Sequence, residues 1–388
     1  MTLAFWFSFA LIAYVYAGYP TLLVLWARLR GRPLPTGERP TNSPGVSIIL
    51  AVRNEGRRLA ARLDNLLDLD YPADRRQIIV VSDGSTDDTL AVLEPYRSSV
   101  DVIAIAASGK AVALNAGVAR ATHELLVFAD ARQSFAPDAL IELTTPFGDA
   151  RVGAVSGELV LDCESHGRRV ATNDRRRGPA RPSAWNSTDR RLSEERRCPS
   201  ESTIAEGVGL YWQFEKKMRR LESAVGSTLG ATGAIYAMRH SLWRPLPPDT
   251  ILDDVLVPMR CVLAGYRVVF NERARAFDRT APDAHAEVQR KIRTLAGNFQ
   301  VLSLEPGLLL PWRNVVWLQY WSHKVGRLLV PYALIALMAT SIALADRSVV
   351  YATALVVQCA FYLLAAYGAW LDFREPVRLG AGRGVVHG

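Results

Sequence analysis

Val46 to Val52 reads VSIILAV, and the chain beyond it passes three acidic turns: SDGSTDD (Ser82 to Asp88), FADAR (Phe128 to Arg132) and LDD (Leu252 to Asp254). An unbroken apolar run of this length is the pattern of a strand buried on both faces, as in a parallel sheet. Each acidic turn follows an apolar run of its own. In an open α/β sheet, ligands bind beyond the carboxyl ends of the strands, so carboxylates remote in sequence can line one crevice. The spacing reads as an active site.

Working outward, the turn Arg53-Asn54-Glu55-Gly56 leads into a helix with Leu59, Leu63, Leu66 and Leu67 at helical spacing, closed by Tyr71-Pro72. Gln77 to Val81, Val102 to Ala106 and Leu125 to Ala129 follow as strands, the last ending at Asp130. Ser85 or Thr86 is expected to cap a helix from Asp87, and Ser108-Gly109-Lys110 opens an alanine-rich one. The alternation predicts an α/β fold with a Rossmann-like, doubly wound, mostly parallel sheet. Neither G-x-G-x-x-G nor G-x-x-x-x-G-K-[ST] is present, which excludes a dinucleotide dehydrogenase and a P-loop ATPase.

Pro137 to Phe147 reads as helix and Gly153 to Leu161 as strand. Residues 164–202 then carry arginines at 168, 169, 175–177, 181, 190, 191, 196 and 197 with few large apolar side chains. This stretch is expected to be a disordered basic insertion, with a tether to lipid or a regulatory arm as the other readings. It contains the glycosylation triplet Asn186-Ser187-Thr188, unused if this face is cytoplasmic. Glu206 to Ser223 resumes as helix, and GATGAIYAM (Gly230 to Met238) suits a backbone packed against a ligand. Asp253 or Asp254 opens a helix to Ala264, before a strand from Arg267 to Phe270 and a basic amphipathic helix from His285 to Gln300.

Residues 3–26 carry no charge, enough to cross a bilayer of about 30 Å at about 1.5 Å per residue. Leu328 to Ala345 and Val349 to Leu371 form a second and a third apolar run, separated by the Asp346-Arg347 turn. Arg28, Arg30 and Arg32 follow the first run, Lys324 and Arg327 precede the second, and Arg374 and Arg378 follow the third. The positive-inside rule places these clusters, and the central domain with them, in the cytoplasm. Trp312, Trp317, Tyr320 and Trp321 are expected to form an aromatic belt. The net charge of +8 and pI near 9.4 do not indicate nucleic acid, because the arginines lie beside the spans and in the insertion. Anionic membrane lipid and a nucleotide diphosphate are the partners that fit. Cys163, Cys198, Cys261 and Cys359 show neither zinc spacing nor a disulfide framework.

VSIILAVRNE, VVSDGSTDDT, GKAVALNAG, FADAR, GATGAIYAMR and LDDVLVPMRCVLAGYRVVF resemble, in this order, the family 2 inverting glycosyltransferases, the membrane-bound group with the cellulose, hyaluronan and poly-N-acetylglucosamine synthases. The resemblance runs from about Val46 to about Gln300 and implies a cytoplasmic GT-A domain with transmembrane α-helices. It implies a nucleotide-sugar donor, usually of uridine diphosphate, and a saccharide or lipid-linked acceptor. Arg53, Asn54, Glu55 and Asp83 match the nucleotide pocket, with Ser82 where an aspartate often stands. Lys110 matches the basic residue beside the diphosphate, although a solvated helix start would look the same.

Asp130 matches the first aspartate of the D-x-D metal motif, implying Mg²⁺ or Mn²⁺, while Arg132 replaces the second and could itself supply positive charge to the donor. Asp253-Asp254 matches the acidic pair, with Asp254 as the base; simple helix capping is the plainer reading. Arg290 to Thr294 falls where many synthases carry Q-R-x-R-W. Arg293 matches, and Thr294 replaces the tryptophan; a basic helix lying on lipid is the other reading.

The expected organisation is an anchor (1–27), a linker (28–45), a GT-A domain (46–300) holding the insertion (164–202), an interfacial amphipathic segment (301–327), a two-helix transmembrane hairpin (328–371) and a cytoplasmic tail (372–388). The second functional reading is a catalytically silent nucleotide-sugar-binding scaffold among the subunits of a synthase complex.

Overall fold

The computed structural model describes residues 1–32, 34, 43–162, 203–279 and 284–374. The arginine-rich insertion, with Cys163, Cys198 and the Asn186 triplet, lies outside the described residues, as do half of the linker and most of the tail.

Helices α1 (Thr2–Ala13) and α2 (Tyr19–Arg30) are joined through a widened π turn at Tyr14–Gly18 into one apolar rod. Pro20 lies at the start of α2, and its missing N–H removes a ladder bond that the wider turn absorbs. The chain then builds β1 (Val46–Val52), α3 (Gly56–Leu67), β2 (Arg76–Asp83), α4 (Thr89–Leu93), β3 (Asp101–Ile105), α5 (Lys110–Arg120) and β4 (Leu125–Ala129). These strands pair in parallel, β3 on β2, β2 on β1 and β1 on β4.

After β5 (Ser134–Phe135), α6 (Ala139–Thr144), β6 (Val152–Asp162) and α7 (Thr203–Val225), strand β7 (Ile235–Arg239) enters the sheet between β4 and β6, antiparallel to both. Helix α8 (Asp253–Leu263), strand β8 (Arg267–Arg279) and helix α9 (Ala284–Leu304) complete the domain. The sheet order is β3-β2-β1-β4-β7-β6-β8-β5. Its first half is the parallel, doubly wound arrangement expected, and its second half is mixed. The reversal has a consequence for the site: Ile235 pairs with Ala129, so the turn entering β7, and not a strand end, arrives beside Asp130.

Side chains alternate along β1. Ile48 and Leu50 face a layer with Leu59, Leu63 and Leu140, and Ile49 faces a layer with Leu114, Phe128 and Met259. All three β1 residues are fully buried, as a sheet covered on both faces requires. Burying each contributes roughly 1.5–3 kcal/mol.

The C-terminal part begins with α10 (Trp317–Gln319), a second π turn at Tyr320–Val325, α11 (Gly326–Leu344) and α12 (Val349–Arg374). Three helical runs, Thr2–Arg30, Trp317–Arg347 and Val349–Gly368, are long and apolar enough to cross a membrane. The second begins at Trp317, inside the stretch read from the sequence as interfacial. Of the aromatic side chains expected to form a belt, Trp312 is exposed. Tyr320 is buried, and the Trp317 and Trp321 indoles both donate to the Leu309 carbonyl. The chain folds back there, and the carbonyl takes the indole N–H groups that lipid headgroups would have taken.

The two π turns meet. A Cβ on Gly326 would come within 2.8 Å of Val15 Cγ2, and the Tyr14 and Ser322 hydroxyls lie 2.7 Å apart. Next to them a buried polar junction ties both spans to α7. The Tyr19 hydroxyl donates to Glu222 Oε1 at 3.0 Å, His323 Nδ1 lies 2.5 Å from the same oxygen, and Arg327 pairs with Glu215.

Candidate active site

Two turns form the first wall. Asn54 adopts a left-handed backbone, φ 56°, a conformation asparagine tolerates better than most residues. Its Oδ1 accepts from the Thr86 N–H at 2.8 Å, and its own N–H donates to Ser85 Oγ at 3.2 Å. The Glu55 N–H reaches Thr89 Oγ1 at 3.0 Å and the Gly56 N–H reaches Asp87 Oδ2 at 3.1 Å. Ser85 and Thr86 therefore fasten this turn and do not cap a helix from Asp87. The helix starts at Thr89, whose N–H and hydroxyl are both accepted by Asp87 Oδ1. That Thr89 hydroxyl is the main reason the Asp87 carboxyl is held below its ordinary range. Asn54 is occupied in this lock, so Arg53 and Glu55 are the members of the turn that line the neighbouring cleft of about 250 Å³, with Asp130, Arg132 and Gln133 opposite.

Asp83 ends β2 almost fully buried. Its carboxylate accepts from the Ser108 N–H at 2.6 Å and the Gly109 N–H at 3.0 Å, fixing the start of α5. Gly84 permits this approach: it has φ 60°, and a Cβ there would lie 2.5 Å from the Ala107 nitrogen.

Lys110, thus positioned, reaches Asp130 Oδ1 at 3.3 Å and Asp253 Oδ1 at 3.5 Å. Burial alone would discharge the ammonium, but the carboxylates of Asp253, Asp130 and Asp254 outweigh it and raise its pKa. Asp253 and Asp254 open α8, and the Ala231 N–H donates to the Asp254 carbonyl at 2.7 Å. The Asp254 carboxylate packs over Gly233, where a Cβ would sit 3.0 Å from Oδ2. Burial, then repulsion from Asp253, pushes the Asp254 carboxyl from its ordinary 3.8 up to about 6, against the opposing pull of Lys110, Lys324 and Arg219. The pair is more than a helix cap, since neither side chain makes a capping hydrogen bond.

Beneath this centre the Tyr236 ring stacks on Phe128 at 4.7 Å. Its buried hydroxyl has no hydrogen-bond partner among the described residues. Burial, with the charges of Asp253 and Asp254, raises the phenol pKa.

Arg132 does not face the donor side as a free charge. Its Nη2 lies 2.5 Å from Oδ2 of the buried Asp278 on β8, and Gln133 donates to the same oxygen at 3.0 Å. Arg293 donates to the Ile251 carbonyl at 3.3 Å, and Gln300 Oε1 accepts from the Ile251 N–H at 2.9 Å. Helix α9 therefore braces the turn before the acidic pair. Sequence reasoning missed Gln300, Tyr236, Arg219, Lys324 and Arg62. The last is a buried guanidinium 4.2 Å from the Phe135 ring centroid, brought down to about 9 by burial and partly restored by Asp130.

Among the described residues no group of three or more His, Cys, Asp or Glu converges as a metal cage. A hard cation could be held by Asp130 only together with donor phosphates and water, a ligand set Mg²⁺ and Mn²⁺ accept. Asp130 fits that role, being about one-third exposed at the cleft.

A mixed sheet with an acidic centre beyond its parallel strand ends is the GT-A fold. The mannosyltransferase PcManGT of Pyrobaculum calidifontis shares it with a TM-score of 0.66 at 22% identity, over 95% of each chain. Residues 47–204 match the family Glycosyl transferase family 2. The poly-beta-1,6-N-acetyl-D-glucosamine synthase of Staphylococcus epidermidis is 32% identical over 117 residues, 29% of this chain and 28% of that protein. The beta-monoglucosyldiacylglycerol synthase of a Synechocystis species is 31% identical over 130 residues, 32% of this chain and 27% of that protein. The match thus spans well under a third of the length of these relatives.

Proposed function

We propose that the chain is a membrane-bound inverting glycosyltransferase that moves a sugar from a nucleoside-diphosphate donor to a saccharide or lipid-linked acceptor, in polysaccharide or glycolipid synthesis. The observation that carries this reading is Asp254. It is a carboxylate raised to about 6, beside a lysine that bridges Asp130 and Asp253. A general base works best with a pKa near the working pH.

Asp254 takes the proton from the acceptor hydroxyl as that oxygen attacks the anomeric carbon. The bond from that carbon to the diphosphate breaks on the opposite face, which inverts the centre. Arg53 and Glu55 line the donor side, and the turn built on Asn54 and Asp83 holds its wall. Lys110 provides the positive charge nearest the departing diphosphate. Mg²⁺ or Mn²⁺, when held by Asp130 and the phosphates, would add charge neutralisation there. Mn²⁺ accompanies GDP-Man in PcManGT, which supports testing both guanosine and uridine donors. Arg28 and Arg30 after the first span favour a cytoplasmic catalytic domain.

The test is nucleotide release from a panel of uridine- and guanosine-diphosphate sugars, by the detergent-purified chain with membrane extract as acceptor, with and without Mn²⁺. Turnover of one donor, lost in Asp254→Asn, is expected. Binding of a donor with no turnover under any condition would favour the silent scaffold instead.

A further inference from the structure

We propose that the outer face of α9 lies on the anionic headgroup layer of the membrane that holds the spans, with its apolar side chains at the acyl boundary. Such docking does not depend on which reaction the site performs.

Val288, Ile292, Leu295 and Phe299 recur along α9 at spacings of four, three and four residues, which sets them in one stripe. All four are between 44% and 57% exposed. Large apolar side chains aligned in this way mark a surface that another apolar phase covers. The opposite side of the helix is the one that meets the domain. Gly297 follows Val288 by nine residues, about two and a half turns, and a Cβ there would lie 2.4 Å from Leu252 Cγ. Arg293 and Gln300 hold Ile251 from that side. The stripe therefore points away from the domain.

Its place in the chain names the occupant. Val301 is packed in one cluster with Leu308, Val316, Tyr320 and Val325, and the last two lie at the head of the second membrane-crossing run, Trp317–Arg347. The C-terminal end of α9 is thereby tied to the point where the chain enters the bilayer. Between them in the chain, Trp312 and Val315 are each 77% exposed, a second pair of bare apolar side chains at the same boundary.

The charges suit an anionic surface. Lys291 adjoins Ile292, Arg313 stands between Trp312 and Val315 in sequence, and both cations are exposed. A helix with an apolar face and basic residues beside it lies in the plane of the headgroups, and its lysines and arginines are drawn to anionic lipid. A second copy of the chain seated on the stripe would gain nothing from these cations. The bilayer would then press on the same helix that braces the turn before Asp253.

The full chain is reconstituted in phosphatidylcholine vesicles with and without phosphatidylglycerol, each doped with a lipid that carries a photoactivatable diazirine on its acyl chain close to the glycerol. Labelled peptides are then located by mass spectrometry. With phosphatidylglycerol present, label should appear on Val288 to Phe299 as well as on the membrane-crossing runs, and the α9 label should fall severalfold without it. Ile292→Glu combined with Leu295→Glu should lose the α9 label while Val349–Gly368 keeps its own, which shows that the variant is still inserted. Lys291→Gln should narrow the difference between the two vesicles. An unlabelled α9 in both vesicles, beside labelled spans, would overturn the docking. A detergent-purified dimer that the double Glu variant dissociates would overturn it too, by giving the stripe to a second copy. Equal α9 label in the two vesicles would overturn the choice of an anionic surface.

Discussion

Replacing Asp254 with asparagine should abolish transfer while making the folded protein more stable at neutral pH. The carboxyl is raised from 3.8 to about 6, and each tenfold change in proton affinity corresponds to about 1.4 kcal/mol. The native state thus binds this proton more tightly than the unfolded chain does. Its contribution to stability is fully present below pH 3.8 and is lost as pH rises through about 6. At pH 7.5 the charged carboxylate costs on the order of 3 kcal/mol, which an uncharged amide of the same shape removes. For a chain of this size that is an increase of roughly 4 °C in apparent Tm. The assay is thermal unfolding in detergent at pH 7.5 and at pH 4.5, with kcat/KM measured against pH for the native chain. The Asn variant should be the more stable at pH 7.5, with most of the gain gone at pH 4.5. The native kcat/KM should fall tenfold per pH unit below about 6 and level off above it. An Asn variant no more stable than the native chain at pH 7.5, together with a rate profile flat through pH 6, would refute the assignment of a strained base.

Lys110→Met should weaken nucleotide binding by tenfold or more and, since Lys110 lowers the Asp254 pKa, move the break in the rate profile to higher pH; titration of nucleotide and a repeated profile check both effects. Arg132→Ala leaves the buried Asp278 with Gln133 as its remaining donor and should cost about 2 kcal/mol, a figure reduced because Arg132 is half exposed. Adding Asp278→Asn should recover most of that loss, and a double-mutant cycle by thermal unfolding reads the coupling. Tyr236→Phe deletes a hydroxyl that bonds to nothing among the described residues, so its Tm should rise or stay level; a clear drop would reveal a partner. Gly84→Ala forces a Cβ against the Ala107 backbone and should destabilise by about 1–3 kcal/mol, with nucleotide affinity falling in step.

The parallel half of the sheet was readable because its signals are local. VSIILAV and Leu125 to Ala129 are buried on both faces, and unbroken apolar runs announce this. All three acidic turns arrive at one edge because each ends a strand or opens a helix there. The direction of β7 was not readable, since nothing in GATGAIYAM distinguishes an antiparallel entry from a parallel one. The partner of Arg132 was not readable because it lies 146 residues away, on the part of β8 beyond Phe270. That extension alternates in burial, with Ala274, Ala276 and Asp278 inward, yet its charged residues concealed the period. Arg219 belongs to a segment legible only as helix, and tertiary packing alone brings it to Thr232, beside Gly233.

The junction of Tyr19, Glu222 and His323 bears on how this protein can be divided. Glu222 is 1% exposed, and its carboxylate takes its hydrogen bond from a tyrosine inside the first span. The same carboxylate meets a histidine at the head of the second. Cutting the chain in the linker to obtain a water-soluble enzyme would strand that carboxylate without its phenol and leave a buried charge exposed to the wrong solvent. During synthesis, likewise, the tyrosine must wait for the carboxylate and then for the histidine, so the catalytic half is completed only when the later span has been made. Bilayer and enzyme are one folding unit here, and the protein cannot be trimmed into a catalytic head and a disposable anchor.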